Sequence, residues 1–370
     1  MKKKILFLIH DLGQGGAEKV LVNLVNNMDP EQFDICVTAL FGGGVNEQFL
    51  RPHIRYRAVF RRTIPGNSHL MKLLSPRQLH RLLVKEHYDI EVAYIEGPAS
   101  RVIAGCTDPD TRKLYWIHCT MKTPGEFAVG FRSVKEAVAG YSAFDRGIFV
   151  SEGVLAAFRD HCPMEPMQVL YNTNETAQML EKAAGSVPEG TFRADEIKLM
   201  AMGKLVPVKG FDRLLRIHGR LRREGYPVHT YLLGGGHLEA ELKKLAQDEG
   251  AADSVTFLGY QTNPYKYVSK CDLFVCSSHS EGFSTAATEA LIVGTPVCTV
   301  EVSGMKEMLG AGNEYGLVTE NDENALLEGI KRLLDDPALL SHYKNQASIR
   351  GKDFSTAETV RAVEQMLLSL

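Results

Sequence analysis

Along this chain, short apolar runs alternate with longer stretches of helical period. In the first half the runs fall at Ile5–Ile9, Ile35–Leu40, Ile90–Ile95, Lys113–Ile117, 146–150 and Met167–Leu170. In the second half they fall at Ile197–Met202, His229–Leu233, Val255–Leu258 and Leu273–Cys276. Runs of this length, bounded by small polar residues and glycines, predict strands buried on both faces, as in a parallel sheet. Val20, Leu21, Leu24 and Val25 carry the three-and-four spacing of a helix face. Strand, loop and helix repeat on both sides of residues 179–195, where Gly185, Pro188 and Gly190 stand among small and charged residues as in a linker. The pattern predicts an α/β chain of two domains, with an amphipathic helix over 355–370.

Two loops carry the most pointed chemistry. After Leu273–Cys276 come Ser277-Ser278-His279-Ser280, then Glu281-Gly282-Phe283-Ser284-Thr285, and a helix that Gly294-Thr295-Pro296 closes. Glu281 then sits in the loop at a strand's C-terminal end, and Glu289 two turns into the helix. The backbone N–H groups of Phe283, Ser284 and Thr285 form a helix N-terminus suited to a phosphate. In open α/β sheets, ligands bind outside the carboxyl ends of the strands. The second loop follows Ile5–Ile9 and contains Gly13, Gly15 and Gly16. Its glycines are mis-spaced for G-x-G-x-x-G and no ribose-binding acid ends the next strand, which excludes a dinucleotide dehydrogenase. Glycine there lets backbone approach a ligand closely.

Composition narrows the field. Charged residues make up 24% and hydrophobic residues 44% of 370, with a net charge of −3, so nucleic acid is not an expected partner. Seven cysteines without a C-x-x-C argue against a disulfide framework or zinc site. The apolar N-terminal run meets Asp11 too soon for a signal peptide, and no stretch approaches a membrane span. Between Arg51 and Lys85 there are nine basic residues and no acid. The stretch Leu70–Leu83 within it is amphipathic, which suits an anionic membrane surface.

The sequence from Gly203 through Lys204, Val208-Lys209-Gly210 to Phe211, followed by Glu281 and Glu289 seven residues apart, resembles the retaining glycosyltransferases of family 4. The Gly15-Gly16 loop, His118 closing an apolar strand, the glycine turn at Gly234-Gly235-Gly236 and the Gly259-Tyr260 loop extend the likeness over nearly the whole chain. The resemblance implies the GT-B fold: two Rossmann-like domains facing across a cleft, an acceptor side at 1–178, a nucleotide-sugar side at 196–352, and a C-terminal helix, 353–370, crossing back. It implies that Lys204 and Lys209 hold the donor diphosphate, with Gly282 to Thr285 beside it. Glu281 would take donor-sugar hydroxyls, Glu289 the ribose, and Gly235 and Tyr260 the nucleotide. His118 would line the reaction centre; His118, Glu281 and Lys209 form the catalytic set. Lys204 stands where the family usually has Arg, giving a point charge in place of a planar fork. Ser303 stands where a glycine is usual.

The expected reaction is transfer of a sugar from a nucleotide diphosphate, UDP foremost, to a hydroxyl of a lipid-linked saccharide. No cofactor or metal is expected, and the place of action is the cytoplasm or the cytoplasmic membrane face. Rivals are a hydrolase using Glu281 and Glu289 as paired carboxylates, a nucleotide-sugar epimerase, and a catalytically silent partner of a transferase.

Overall fold

A computed structural model describes residues 2–62, 71–193 and 195–370. The chain divides into two compact units: one of Met1–Asn174 with Thr356–Leu370, the other of Glu175–Ser355. Among the described residues no helix is long and apolar enough to cross a membrane.

The first unit is built on a seven-stranded parallel sheet. In chain order its strands are Lys3–Ile9 (β1), Phe33–Phe41 (β2), Arg55–Phe60 (β3), Ile90–Tyr94 (β4), Arg112–Ile117 (β5), Arg146–Phe149 (β6) and Met167–Val169 (β7). They lie in the order β3-β2-β1-β4-β5-β6-β7. β1 and β4 lie at the centre, and every residue from Ile5 to Ile9 and from Ile90 to Tyr94 is buried. That is why these strands read as unbroken apolar runs. The order reverses between β1 and β4, which opens a crevice at their carboxyl ends.

The basic segment differs from its expectation. It contains β3, an edge strand whose Arg55 and Arg57 face solvent while Tyr56 and Ala58 are half-buried. Positive side chains on an edge also discourage pairing with another chain. Arg55 is already neutralised by Asp34 and Glu86, at 3.2 and 2.9 Å. A helix runs from Pro76 to Leu83, with Ser75 and Gln78 closing a capping box. Leu79 and Leu83 are buried, whereas Arg77, Arg81 and Leu82 are exposed. The rest of the predicted amphipathic stretch includes Leu70, outside the described residues.

The C-terminal helix, Thr356–Leu368, packs on this same unit. It buries Val360, Val363, Met366 and Leu367. Glu364 accepts from the Asp29 N–H at 2.7 Å, and Lys3 donates to the Leu367 carbonyl at 3.2 Å.

The second unit carries a six-stranded parallel sheet of Ile197–Met202 (β8), Val228–Leu233 (β9), Val255–Gly259 (β10), Leu273–Cys276 (β11), Val297–Val300 (β12) and Leu317–Thr319 (β13). The order is β10-β9-β8-β11-β12-β13, reversing between β8 and β11. Both units therefore have Rossmann-like order, each with a switch point. The helices Phe211–Arg223 and Glu323–Asp335 supply Leu214, Leu215, Leu327 and Ile330 to its core.

The stretch expected as linker is partly folded. Thr176–Ala183 is a helix with Met179 buried, and it belongs to the second unit. Its end is tied down where Asn263 and Ser269 donate to the carbonyls of Lys182 and Ala183 at 3.0 and 3.1 Å. The glycines and proline that suggested a linker begin only after it.

Candidate functional site

In the second unit, the loops after β8 and β11 meet at the switch point. After β8 the chain makes a short turn, Pro207–Lys209, and enters the next helix through Gly210, whose φ is +61°. A Cβ on Gly210 would lie 2.1 Å from the Ser277 carbonyl oxygen, so the loops approach to a distance only glycine permits. Ser277 Oγ donates to the Lys209 carbonyl at 3.2 Å, and the His279 N–H to the Val208 carbonyl at 2.8 Å.

This clamp brings Lys209 Nζ to 2.7 Å from Glu281 Oε1. The same oxygen accepts from Ser278 Oγ at 2.6 Å. The Glu281 side chain is 9% exposed and that of Lys209 27%. The cavity bounded by Lys209, Ser278, Glu281 and Ser284 holds only about 10 Å³, room for one water at most. Two residues read as separate ligands of one substrate therefore neutralise each other here. Lys204 lies in the same loop, exposed to solvent.

The helix Thr285–Ile292 starts with Ser284 as N-cap, its Oγ accepting from the Ala287 N–H at 3.4 Å. The open donors at that helix start are thus those of Ser284, Thr285 and Ala286. This moves the expected phosphate-facing group one residue along from Phe283, whose ring is buried and packs on Phe354 at 6.0 Å. Glu289 lies just beyond the first turn, not two turns in, and is buried near the Tyr265 hydroxyl at 3.5 Å. In the glycine turn, a Cβ would meet Gly203 O at 1.9 Å from Gly234 and Leu205 O at 2.4 Å from Gly236, whereas Gly235 faces open space. Tyr260 is exposed. Gly282 sits against Gly304, whose φ of +79° and Cβ position 2.9 Å from the Gly282 carbonyl explain the one glycine retained beside Ser303.

Arg213 was legible only as part of a charged helix. It is buried, and Nε and a terminal nitrogen donate to the carbonyls of Ser277 and Ser278 at 2.6 and 2.7 Å. Its other nitrogen reaches Asn321 at 2.9 Å. Burial pulls its pKa below the ordinary arginine value, with nearby acids opposing. Arg213 holds the loop that carries Glu281.

Gly15, Gly16 and His118 belong to the first unit. Gly15 caps the helix Gly16–Asn27, and a Cβ there would lie 1.7 Å from Glu18 Oε2. The Glu18 carboxylate lies in the space that glycine leaves. His118 is buried, its ring 4.7 Å from Tyr94 and 6.3 Å from Trp116. Burial pushes its pKa down to about 3, so the ring is neutral, and Nε2 has no hydrogen-bond partner among the described residues. It is absent from the wall of the neighbouring cavity, to which Cys119, Thr120 and Met121 contribute instead. That cavity, about 410 Å³, lies at the carboxyl ends of β1, β4 and β5. Its ionisable lining, His10, Asp11, Glu18, Glu96 and Glu126, carried no assigned role in the sequence.

Three groups of metal-ligating type, His80, Glu91 and Cys106, also converge in the first unit, with donor atoms within 4.8 Å of one another. Their separation along the chain hides them from any motif. The imidazole Nε2 lies 2.8 Å from Glu91, forming an ion pair when protonated.

Residues 14–178 match the family described as Glycosyltransferase Family 4, and residues 187–350 that described as Glycosyl transferases group 1. The chain belongs to the GT4-type GT-B glycosyltransferases. The transferase is 26% identical to a Campylobacter jejuni enzyme, N-acetylgalactosamine-N,N'-diacetylbacillosaminyl-diphospho-undecaprenol 4-alpha-N-acetylgalactosaminyltransferase, over 99% of this chain and all of that one. It is 26% identical to a lipopolysaccharide core biosynthesis glycosyltransferase, LpsD, of Rhizobium meliloti, over 90% of this chain and 88% of that one. Among solved structures, Anabaena Alr3699/HepE in complex with UDP superposes with a TM-score of 0.78 at 21% identity, covering both chains fully. The transferase thus shares its fold with that protein.

Proposed function

We propose that the transferase moves a hexose-type sugar, with retention, from UDP to a hydroxyl of a lipid-linked saccharide in surface-polysaccharide assembly. The observation that carries this reading is the pairing of Lys209 with Glu281 at the β8/β11 switch point, beside the open N-terminus of Thr285–Ile292. A diphosphate arriving there takes the Lys209 ammonium and releases Glu281 to accept from sugar hydroxyls. Lys204 and the N–H groups of Thr285 and Ala286 add positive potential where the leaving diphosphate gains charge. Glu289 takes the ribose, and Gly235 and Tyr260 border the nucleotide. The bond between the anomeric carbon and the diphosphate oxygen breaks as the acceptor oxygen bonds to that carbon on the same face. The acceptor's proton passes to the departing phosphate. No metal is needed in this scheme, because lysines and helix N–H groups balance the phosphate charge.

Relatives named for undecaprenol-linked and lipopolysaccharide substrates support a lipid-linked acceptor, and UDP-bound structural neighbours support the uridine donor. Exposed Arg77, Arg81, Leu73 and Leu82 offer a basic, partly apolar face for peripheral contact with the cytoplasmic membrane surface. The test is nucleotide release from a panel of UDP- and GDP-sugars without acceptor, with chelator present, for the wild type, Lys209→Ala and Glu281→Ala. Slow release from one donor, lost in both variants, is expected; absence of both release and nucleotide binding in the wild type refutes the proposal.

A further inference from the structure

β4 is a central strand buried along its whole length, yet its second residue is an acid. Glu91 is 2% exposed, and a carboxylate is almost never that deep unless it is paired or holds a metal. Among the described residues its ion pair is with His80, whose Nε2 lies 2.8 and 3.1 Å from its two oxygens. A neutral imidazole leaves the charge of Glu91 unbalanced. Cys106, itself 5% exposed, brings a third donor atom to the same point.

Each of the three comes from a different element. His80 stands in the last turn of the helix Pro76–Leu83, which Leu79 and Leu83 seat on the unit. Glu91 follows on β4, and Cys106 comes just after the helix Pro98–Ile103. A Cβ on Gly105 would lie 2.0 Å from the Pro76 carbonyl oxygen, an approach only glycine permits, and it carries Cys106 in against the helix that bears His80. The His80 side chain, 17% exposed, forms the solvent side of the group.

Imidazole, thiolate and carboxylate together are a donor set for zinc; magnesium and calcium take oxygen ligands. Thiolate and carboxylate supply the negative charge that a divalent cation cancels. Metal–ligand bonds of about 2.0–2.3 Å place tetrahedral donor atoms roughly 3.3–3.7 Å apart. The three donor atoms, 2.8 Å apart at the closest and all within 4.8 Å, bracket that spacing, so side-chain shifts of about 1 Å complete the set. We infer that His80, Glu91 and Cys106 form a binding site for a divalent cation of the zinc class, with solvent as the fourth ligand.

Binding forms three metal–ligand bonds and releases to water the Cys106 thiol proton and the proton held between His80 and Glu91. That proton is the occupant in the metal-free protein, and the pH dependence of His80 belongs to that state. Glu91 lies three residues, about 10 Å, before the carboxyl end of β4, so the cation is remote from the crevice there. It acts as a staple, tying the helix Pro76–Leu83 and the segment after Pro98–Ile103 to the sheet. No step of sugar transfer passes through it, and the donor site has no part in it.

The test takes the full-length protein, stripped with chelator, dialysed, and titrated with Zn²⁺ or Co²⁺. The wild type should retain about one equivalent of zinc per chain through gel filtration, and Co²⁺ should produce a thiolate-to-metal charge-transfer band. Cys106→Ser and His80→Gln should each lose the retained zinc, and Cys106→Ser the band; Cys119→Ser, at the exposed thiol, should keep both. Zinc at 100-fold over its Kd should raise the Tm of the first unit by roughly 5–10 °C in the wild type and leave Cys106→Ser unchanged. A cobalt spectrum without thiolate ligation, a band that survives Cys106→Ser, or one that vanishes in Cys119→Ser overturns the inference. Zinc that washes off in gel filtration is an adventitious ion only, and overturns it too. If Cys106→Ser fails to fold, the wild type decides: zinc should slow alkylation of Cys106 in urea pulses, read by peptide mass, and equal rates with and without zinc refute the site.

Discussion

Replacing Arg213 by Met should unsettle the donor loop more than any surface charge in the second unit. Met keeps much of the aliphatic volume and removes the guanidinium, leaving the carbonyls of Ser277 and Ser278 buried without their donors. Each of the two charge-assisted bonds contributes ~1.5–3 kcal/mol, so the gross loss is ~3–6 kcal/mol. Against it stands the desolvation of a buried cation, already visible in the lowered Arg213 pKa, which substitution relieves. We expect a net loss of ~2–4 kcal/mol, large for a single substitution. With a urea m-value of roughly 2–3 kcal/mol/M, the transition of this unit moves down by about 1 M. Arg213→Lys should recover little, because one ammonium cannot reproduce the fork that spans two carbonyls. UDP affinity, measured where the variant remains folded, should fall as well, since Glu281 rides on the same loop. A Met variant within ~0.5 kcal/mol of wild type would refute the reasoning, placing it among ordinary surface changes.

Two further predictions follow from local geometry and charge. Gly234→Ala forces a side chain into φ +129° and against the Gly203 carbonyl, and should cost more than ~2 kcal/mol; Gly235→Ala, in open space, should stay within ~0.5 kcal/mol, as thermal melts would show. His80 has a pKa raised to about 9: burial alone would lower it, but hydrogen bonds to Cys106 and Glu91 outweigh that. Its folded pKa exceeds the unfolded value near 6.5, so its contribution, at most about 3 kcal/mol, is complete below pH ~6.5 and lost as pH rises through 9. Urea titrations from pH 6 to 9.5 should show that loss in the wild type and a flatter profile in His80→Gln.

The strands that were legible are those whose surroundings demand apolar residues on both faces. β1, β4, β8 and β11 announce themselves because a central parallel strand has no solvent side. β3 was missed for the opposite reason: at the edge, Arg55 and Arg57 face water, and the alternation was submerged in a run of positive charge. The Thr176–Ala183 helix was hidden by the glycines and proline just beyond it. At the site, Glu281 and Ser284 could be named from spacing, because strand ends and helix starts are local, and Lys209 from the family resemblance. Their mutual pairing could not, since it depends on Gly210 closing against Ser277, far along the chain. Arg213 and Glu96 act through contacts between distant loops and leave no local signature. His118 stands just past a strand end, as its sequence position indicates, and the way its ring turns is set by packing against Tyr94 and Trp116, which no local pattern encodes.

The return of the last helix to the first unit has a topological meaning. The chain leaves that unit at Asn174 and re-enters it at Thr356, and the Thr356 hydroxyl donates to the Asn174 carbonyl at 2.6 Å. The exit and the re-entry are thus stitched at one point, and residues 175–355 hang from it as an insertion. Joining 174 to 356 through a short glycine linker excises the second unit with almost no loop to close, so the first unit should survive as a continuous chain. A truncation at 355 instead strips Val360, Val363, Met366 and Leu367 from a core they complete. The two halves of this transferase are unequal partners: one can be cut out cleanly, and the other needs both ends of the chain.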